Sequence, residues 1–90
     1  MSDCTRTVQV TNRRGLHARA SAKFVTLAAQ QEAAIKVEKD GSSVTGTSIM
    51  GLMMLGAAMG DSVTISAEGP GAERSLGLLV ALVENKFGED

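Results

Sequence analysis

From Thr5 to Thr11 the chain alternates, with Val8 and Val10 on one side and Thr7, Gln9 and Thr11 on the other. Successive side chains of a strand point to opposite faces, so this segment predicts a strand half-buried on a core. Asn12-Arg13-Arg14-Gly15 carries no apolar side chain and reads as a turn. Beyond it the period changes. From His17 to about Gln30, Ala20, Phe24, Leu27 and Ala28 recur at the spacing that stacks side chains along one side of a helix. Alternation returns between Ala34 and Lys39 through Ile35 and Val37. Asp40-Gly41 is a hairpin signal leading into a short strand at Ser43 to Thr45.

Thr47 or Ser48 supplies a hydroxyl that caps a short helix running to about Leu55, by accepting from an orphan backbone N–H. Gly56 to Gly60 and Asp61 break that helix, and Ser62 to Ala67 alternates through Val63, Ile65 and Ala67 as a last strand. Gly69-Pro70-Gly71 then punctuates the chain, with Pro70 suited to the first turn of a helix. In that helix Leu76, Leu79, Val80, Val83 and Phe87 form one apolar stripe. The order is β-α-β-β-α-β-α. Strands with one apolar face need cover on that face alone, so the pattern predicts an α+β fold, an antiparallel four-stranded sheet with three helices packed on one face. No repeat, linker or low-complexity stretch divides the chain, and residues 1–90 are read as one domain.

Composition narrows the function. Two phenylalanines and no Trp or Tyr leave an aliphatic core, in a domain able to bury about 60% of its unfolded surface. A formal net charge of −1 gives no basic footprint for nucleic acid or a membrane surface, and the scarcity of aromatics removes any stacking platform. The lone Cys4 cannot form an internal disulfide, which fits a reducing compartment and an inert thiol. Met1 to Val10 has no apolar signal run, and Ile49 to Met59 is interrupted by glycines and short of the ~20 residues that span a bilayer. A soluble cytoplasmic protein is expected. With one histidine and no cysteine pair, neither a metal site nor a cofactor is expected.

That one histidine, His17, lies where the glycine turn gives way to the first helix. The first N–H groups of a helix lack intrahelical partners and its dipole favours negative charge, which makes an anion site. The same field opposes protonation of a nearby imidazole, so it aids both nucleophilic attack by the ring and its anionic phosphorylated product. Arg19 adds a planar cation suited to phosphate oxygens, Arg14 adds longer-range attraction, and Gly15 lets backbone approach closely. Phosphoryl transfer depends mainly on positioning and charge, so a small domain can serve as a relay between enzymes. The bland alternative is a surface histidine that helps to cap a helix, because Gly-x-His-x-Arg by itself is a weak pattern. A Cys4–His17 dyad stays open at this level.

The run Gly15-Leu16-His17-Ala18-Arg19 resembles the active-site signature of the HPr family, the histidine-containing phosphocarriers of the phosphotransferase system. Asp40-Gly41 falls where the family has its hairpin, and Gly46-Thr47-Ser48-Ile49-Met50-Gly51-Leu52 is similar to its regulatory serine segment. Length and element order match as well, so the likeness covers essentially the whole chain. It implies an open-faced β-sandwich. It implies that His17 accepts a phosphoryl group at Nδ1 from enzyme I, charged by phosphoenolpyruvate, and passes it to an enzyme IIA protein. Arg19 is implied as the phosphate-stabilising neighbour, and Ser48 matches the serine that HPr kinase/phosphorylase modifies in some branches. A monomer with transient partners is implied too. Many members have proline where this chain has Ala20, which keeps the helix but loses a fixed φ in its first turn. The Met-rich second helix, Gly69-Pro70 and the ending Phe87-Gly88-Glu89-Asp90 are more similar to the nitrogen-related branch, NPr.

Ile49, Met50, Leu52, Met53, Met54 and Leu55 are apolar nearly all round a helix of about two turns, so some must face solvent. Leu52 and Leu55 are expected in the core and Ile49, Met50 and Met53 outward, where adaptable side chains suit several partners. Phosphate on Ser48 would set a near-dianion beside that apolar surface and weaken docking. Two other functions compete. One is a regulatory adaptor that binds target proteins and uses phosphorylation as a switch, with Ser48 as a second switch site. The other is a small ligand-binding sandwich, for which the sequence shows no polar pocket.

Overall fold

A computed structural model describes residues 4–89; residues 1–3 and 90 lie outside it, and with them Asp90 of the ending compared above. The elements are β1 (Cys4–Gln9), α1 (Ala18–Ala29), β2 (Ala34–Lys39), β3 (Ser42–Thr45), α2 (Ile49–Met54), β4 (Ser62–Glu68) and α3 (Ala72–Glu84). The strands lie in the order β1-β4-β2-β3 and every neighbouring pair is antiparallel. The period-two pattern sets the register: Val8 faces Val63, Val37 faces Ile65 and Ile35 faces Ala67. All six are buried, whereas Thr5, Thr7, Gln9, Lys36 and Glu38 on the alternate positions are exposed. A one-residue slip would send the apolar set into water.

The helices cover the apolar face. α3 lies against β1 and β4, and α1 packs on α2 and α3. Phe24, Leu52, Leu76, Leu79 and Phe87 fill the layer between helices and sheet. Each such side chain contributes about 1.5–3 kcal/mol over an exposed one. Two buried hydroxyls are satisfied within it: Ser21 donates to the Leu16 carbonyl at 3.1 Å, and Ser75 donates to Gln31 Oε1 at 2.9 Å, tying α3 to the end of α1.

Three boundaries differ from the sequence reading by more than one residue. β1 stops at Gln9, because its partner β4 begins at Ser62; Val10 instead donates to the Asp61 carbonyl and accepts from Gly60, and Thr11 falls outside the strand. Pro70 sits before α3 rather than in its first turn, since Gly71, left-handed at φ 69°, is the cap. Phe87 is buried but lies beyond α3, which ends at Glu84. Leu27, placed on the buried stripe of α1, is only partly buried.

Candidate functional site

The loop between β1 and α1 is held from below. Asn12 is fully buried, Gly15 N–H donates to the Asn12 carbonyl at 3.2 Å, and Leu16 N–H donates to the Ala57 carbonyl at 3.0 Å. Gly15 is left-handed at φ 64°, and a Cβ there would run into the Ala57 carbonyl oxygen and lie 2.8 Å from Ala58 Cα. Only glycine fits this approach of two backbones. The loop after α2 therefore serves as the platform on which the turn rests. His17 then caps α1 with extended backbone (φ −73°, ψ 178°), and Ser21 N–H to the His17 carbonyl at 2.9 Å is the first bond of the helical ladder. The N–H groups of Ala18, Arg19 and Ala20 come before it, at the positive end of the helix.

The imidazole is bonded at both nitrogens, and its side chain is 14% exposed. Nδ1 accepts from Arg19 N–H at 3.3 Å, and Nε2 lies 2.9 and 3.0 Å from the two carboxylate oxygens of Glu89. An amide N–H only donates and a carboxylate only accepts, so these partners select the tautomer with the proton on Nε2 and a lone pair on Nδ1. Glu89 is itself anchored. Its Oε1 accepts from Asn12 Nδ2 at 2.9 Å, and Nδ2 also donates to the Gly15 carbonyl at 2.8 Å. Donation from Asn12, and next from His17, holds the Glu89 carboxyl below its ordinary value of 4.5.

Glu89 reaches this position through a left-handed turn. Lys86, Phe87 and Gly88 follow α3 with φ of 57°, 55° and 77°. That conformation costs a residue bearing a Cβ about 1–2 kcal/mol. Burial of Phe87 and the bond from Lys23 Nζ to the Phe87 carbonyl at 2.7 Å offset it. Arg13, Arg14, Arg19 and Glu89 line one shallow depression beside the ring. Three guanidinium groups and one carboxylate make its rim electropositive, a field that favours anions.

Of the residues singled out from sequence, His17 and Arg19 come together here, and Arg14 joins them. Ser48 caps α2, accepting from Gly51 N–H at 2.9 Å, on the helix that packs beside α1. Leu52 is fully buried and Leu55 nearly so, while Ile49, Met50 and Met53 are 42%, 68% and 42% exposed, with Met54 and Met59 continuing the apolar surface. Cys4 begins β1, whereas the His17 loop leaves from the other end of that strand, so the two form no dyad. Sequence reasoning missed Glu89, Asn12 and Arg13. Asn12 beside a turn was a detectable signal; Glu89, distant in sequence, carried none.

The chain is thus an open-faced α+β sandwich that presents an oriented imidazole at a helix N-terminus. Residues 4–85 match the family model for the PTS HPr component phosphorylation site. The phosphocarrier protein HPr of Cupriavidus necator is 43% identical over 84 residues, covering 93% of this chain and 94% of that one. Phosphocarrier protein NPr of Shewanella violacea is 36% identical over 89 residues, covering 99% of this chain and 98% of its own length. Among solved structures, HPr from Thermoanaerobacter tengcongensis superposes with a TM-score of 0.92 at 45% identity, covering 97% of this chain and 98% of that one. The chain belongs to the HPr family, and its general role is that of a phosphocarrier of the phosphotransferase system.

Proposed function

We propose that this chain accepts a phosphoryl group on Nδ1 of His17 from enzyme I, charged by phosphoenolpyruvate, and passes it to an enzyme IIA protein. The observation that carries the reading is the two-sided bonding of the ring, which protonates Nε2 and leaves the Nδ1 lone pair at the start of α1. The first N–H groups of the helix and the Arg19 guanidinium receive the phosphoryl oxygens. The donor and acceptor enzymes supply the remaining machinery, so the chain works in the cytoplasm as a monomer that meets its partners transiently. Ile49, Met50 and Met53 form the docking surface beside the site, exposed and able to adapt in shape. Ser48 is the regulatory position, a substrate for HPr kinase/phosphorylase where the host has that enzyme.

The exposed apolar surface next to Ser48 also favours a second reading, a regulatory adaptor that binds target proteins according to its phosphorylation state. Intact-mass analysis after incubation with enzyme I and phosphoenolpyruvate separates the two. The relay requires one acid-labile phosphoryl group on the wild type and none on His17→Ala. An unmodified wild type in the presence of active cognate enzyme I rejects the relay.

A further inference from the structure

We infer that Glu89 is a positioning residue for phosphoryl acceptance at His17, held in place by Asn12 and the left-handed turn before it. The inference rests on the carrier reading above and adds to it. Both oxygens of Glu89 lie within 3.0 Å of Nε2, so the carboxylate fixes the ring plane as well as the tautomer. Its own placement is over-determined: buried Asn12 bridges it to the Gly15 carbonyl, and Lys23 holds the Phe87 carbonyl two residues before it. The segment after α3 and the loop before α1 are thereby joined at the ring, although they lie at opposite ends of the described chain.

The chemistry explains why a carboxylate is placed there. In the transfer step the Nδ1 lone pair forms a bond to phosphorus. The bond from phosphorus to the donor breaks, and its electron pair stays with the donor. The Nε2 proton is retained, so the ring passes from neutral to imidazolium, and that positive charge develops against the Glu89 carboxylate. Nε2 lies across the ring from Nδ1, so Glu89 meets the new cation without obstructing the phosphoryl group. Onward transfer reverses the charge change, and the same pair then relaxes to a neutral ring and a carboxylate.

The test is made on the full chain with wild type, Glu89→Ala and Glu89→Gln. Two readouts are taken: the Nε2–H resonance of His17 in proton–nitrogen spectra, and the rate of phosphoryl acceptance from enzyme I. Wild type is expected to show a slowly exchanging Nε2–H signal. Glu89→Ala should lose that signal and accept phosphoryl groups at least about tenfold more slowly, the scale of losing one charge-assisted hydrogen bond. Glu89→Gln should keep the signal, because an amide oxygen still accepts, and fall between the two in rate because it carries no charge. If Glu89→Ala accepts within about twofold of wild type, or slows while its ring signal is unchanged, positioning is refuted and the carrier reading stands. If wild type itself accepts nothing, the carrier reading falls and takes this inference with it.

Discussion

Replacing Gly15 by alanine tests the claim that two backbones meet beneath the site. The substitution places a Cβ on a residue at φ 64°, against the Ala57 carbonyl oxygen and 2.8 Å from Ala58 Cα. Left-handed backbone costs alanine about 1–2 kcal/mol, and the backbone shift that relieves the overlap costs about 1–3 kcal/mol. The stiffer unfolded chain returns about 0.4–1 kcal/mol. The net expectation is a loss of about 2–4 kcal/mol, a large share of the stability of a small domain and a fall in Tm of roughly 10 °C or more. Gly56 is the internal control, since it has a nearly identical φ of 67° and nothing within 4 Å of the place a methyl group would take. Gly56→Ala should therefore lose about 1 kcal/mol, the conformational cost alone. Urea unfolding of both variants, at matched slopes, isolates the close approach as their difference. Equal losses would refute the reasoning, because the contact with the loop after α2 would then contribute nothing.

Three further outcomes are expected. Ser48→Ala removes the acceptor for Gly51 N–H and should cost about 1 kcal/mol in urea unfolding; no loss would show that the cap is idle. Ser48→Asp retains a capping oxygen but sets a charge beside Ile49 and Met50, so it should keep stability and accept phosphoryl groups from enzyme I more slowly than wild type. The pH dependence has a definite sign. The Glu89 carboxyl titrates below 4.5 when folded and near 4.5 when unfolded, so its stabilisation is in place above 4.5 and is lost as pH falls through the folded value. Carbon NMR of the Glu89 carboxyl should give a midpoint below 4.5 that moves upward in Asn12→Ala; a wild-type midpoint at or above 4.5 would refute the bonding described.

Periodicity is local, and what depends on it was legible along the chain. Alternation at Val8, Ile35, Val37, Val63 and Ile65 predicts strands with one dry face, and the spacing of Ala20, Phe24 and Ala28 predicts a helix with one dry side. The Ser48 hydroxyl also carries local meaning, since a cap is decided by its nearest neighbours, whereas the close approach that requires Gly15 comes from Ala57 and Ala58, distant in sequence. The split of the α2 side chains followed from geometry, because a short helix on a small domain can bury only one side.

The rest depended on tertiary structure. Period two predicts that a strand pairs but not with which neighbour, and the order β1-β4-β2-β3 comes from packing the whole apolar set under three helices. No propensity places Lys86 and Phe87 in left-handed backbone; the burial of Phe87 and the hold of Lys23 impose it. That imposed turn carries Glu89 onto a ring 72 positions earlier in the chain. The sequence by itself therefore determined the strands and the helices, and set its one histidine at the start of the first helix. Only the folded chain decided which nitrogen of His17 carries the proton, because that choice belongs to a carboxylate brought to it by contacts distant in sequence.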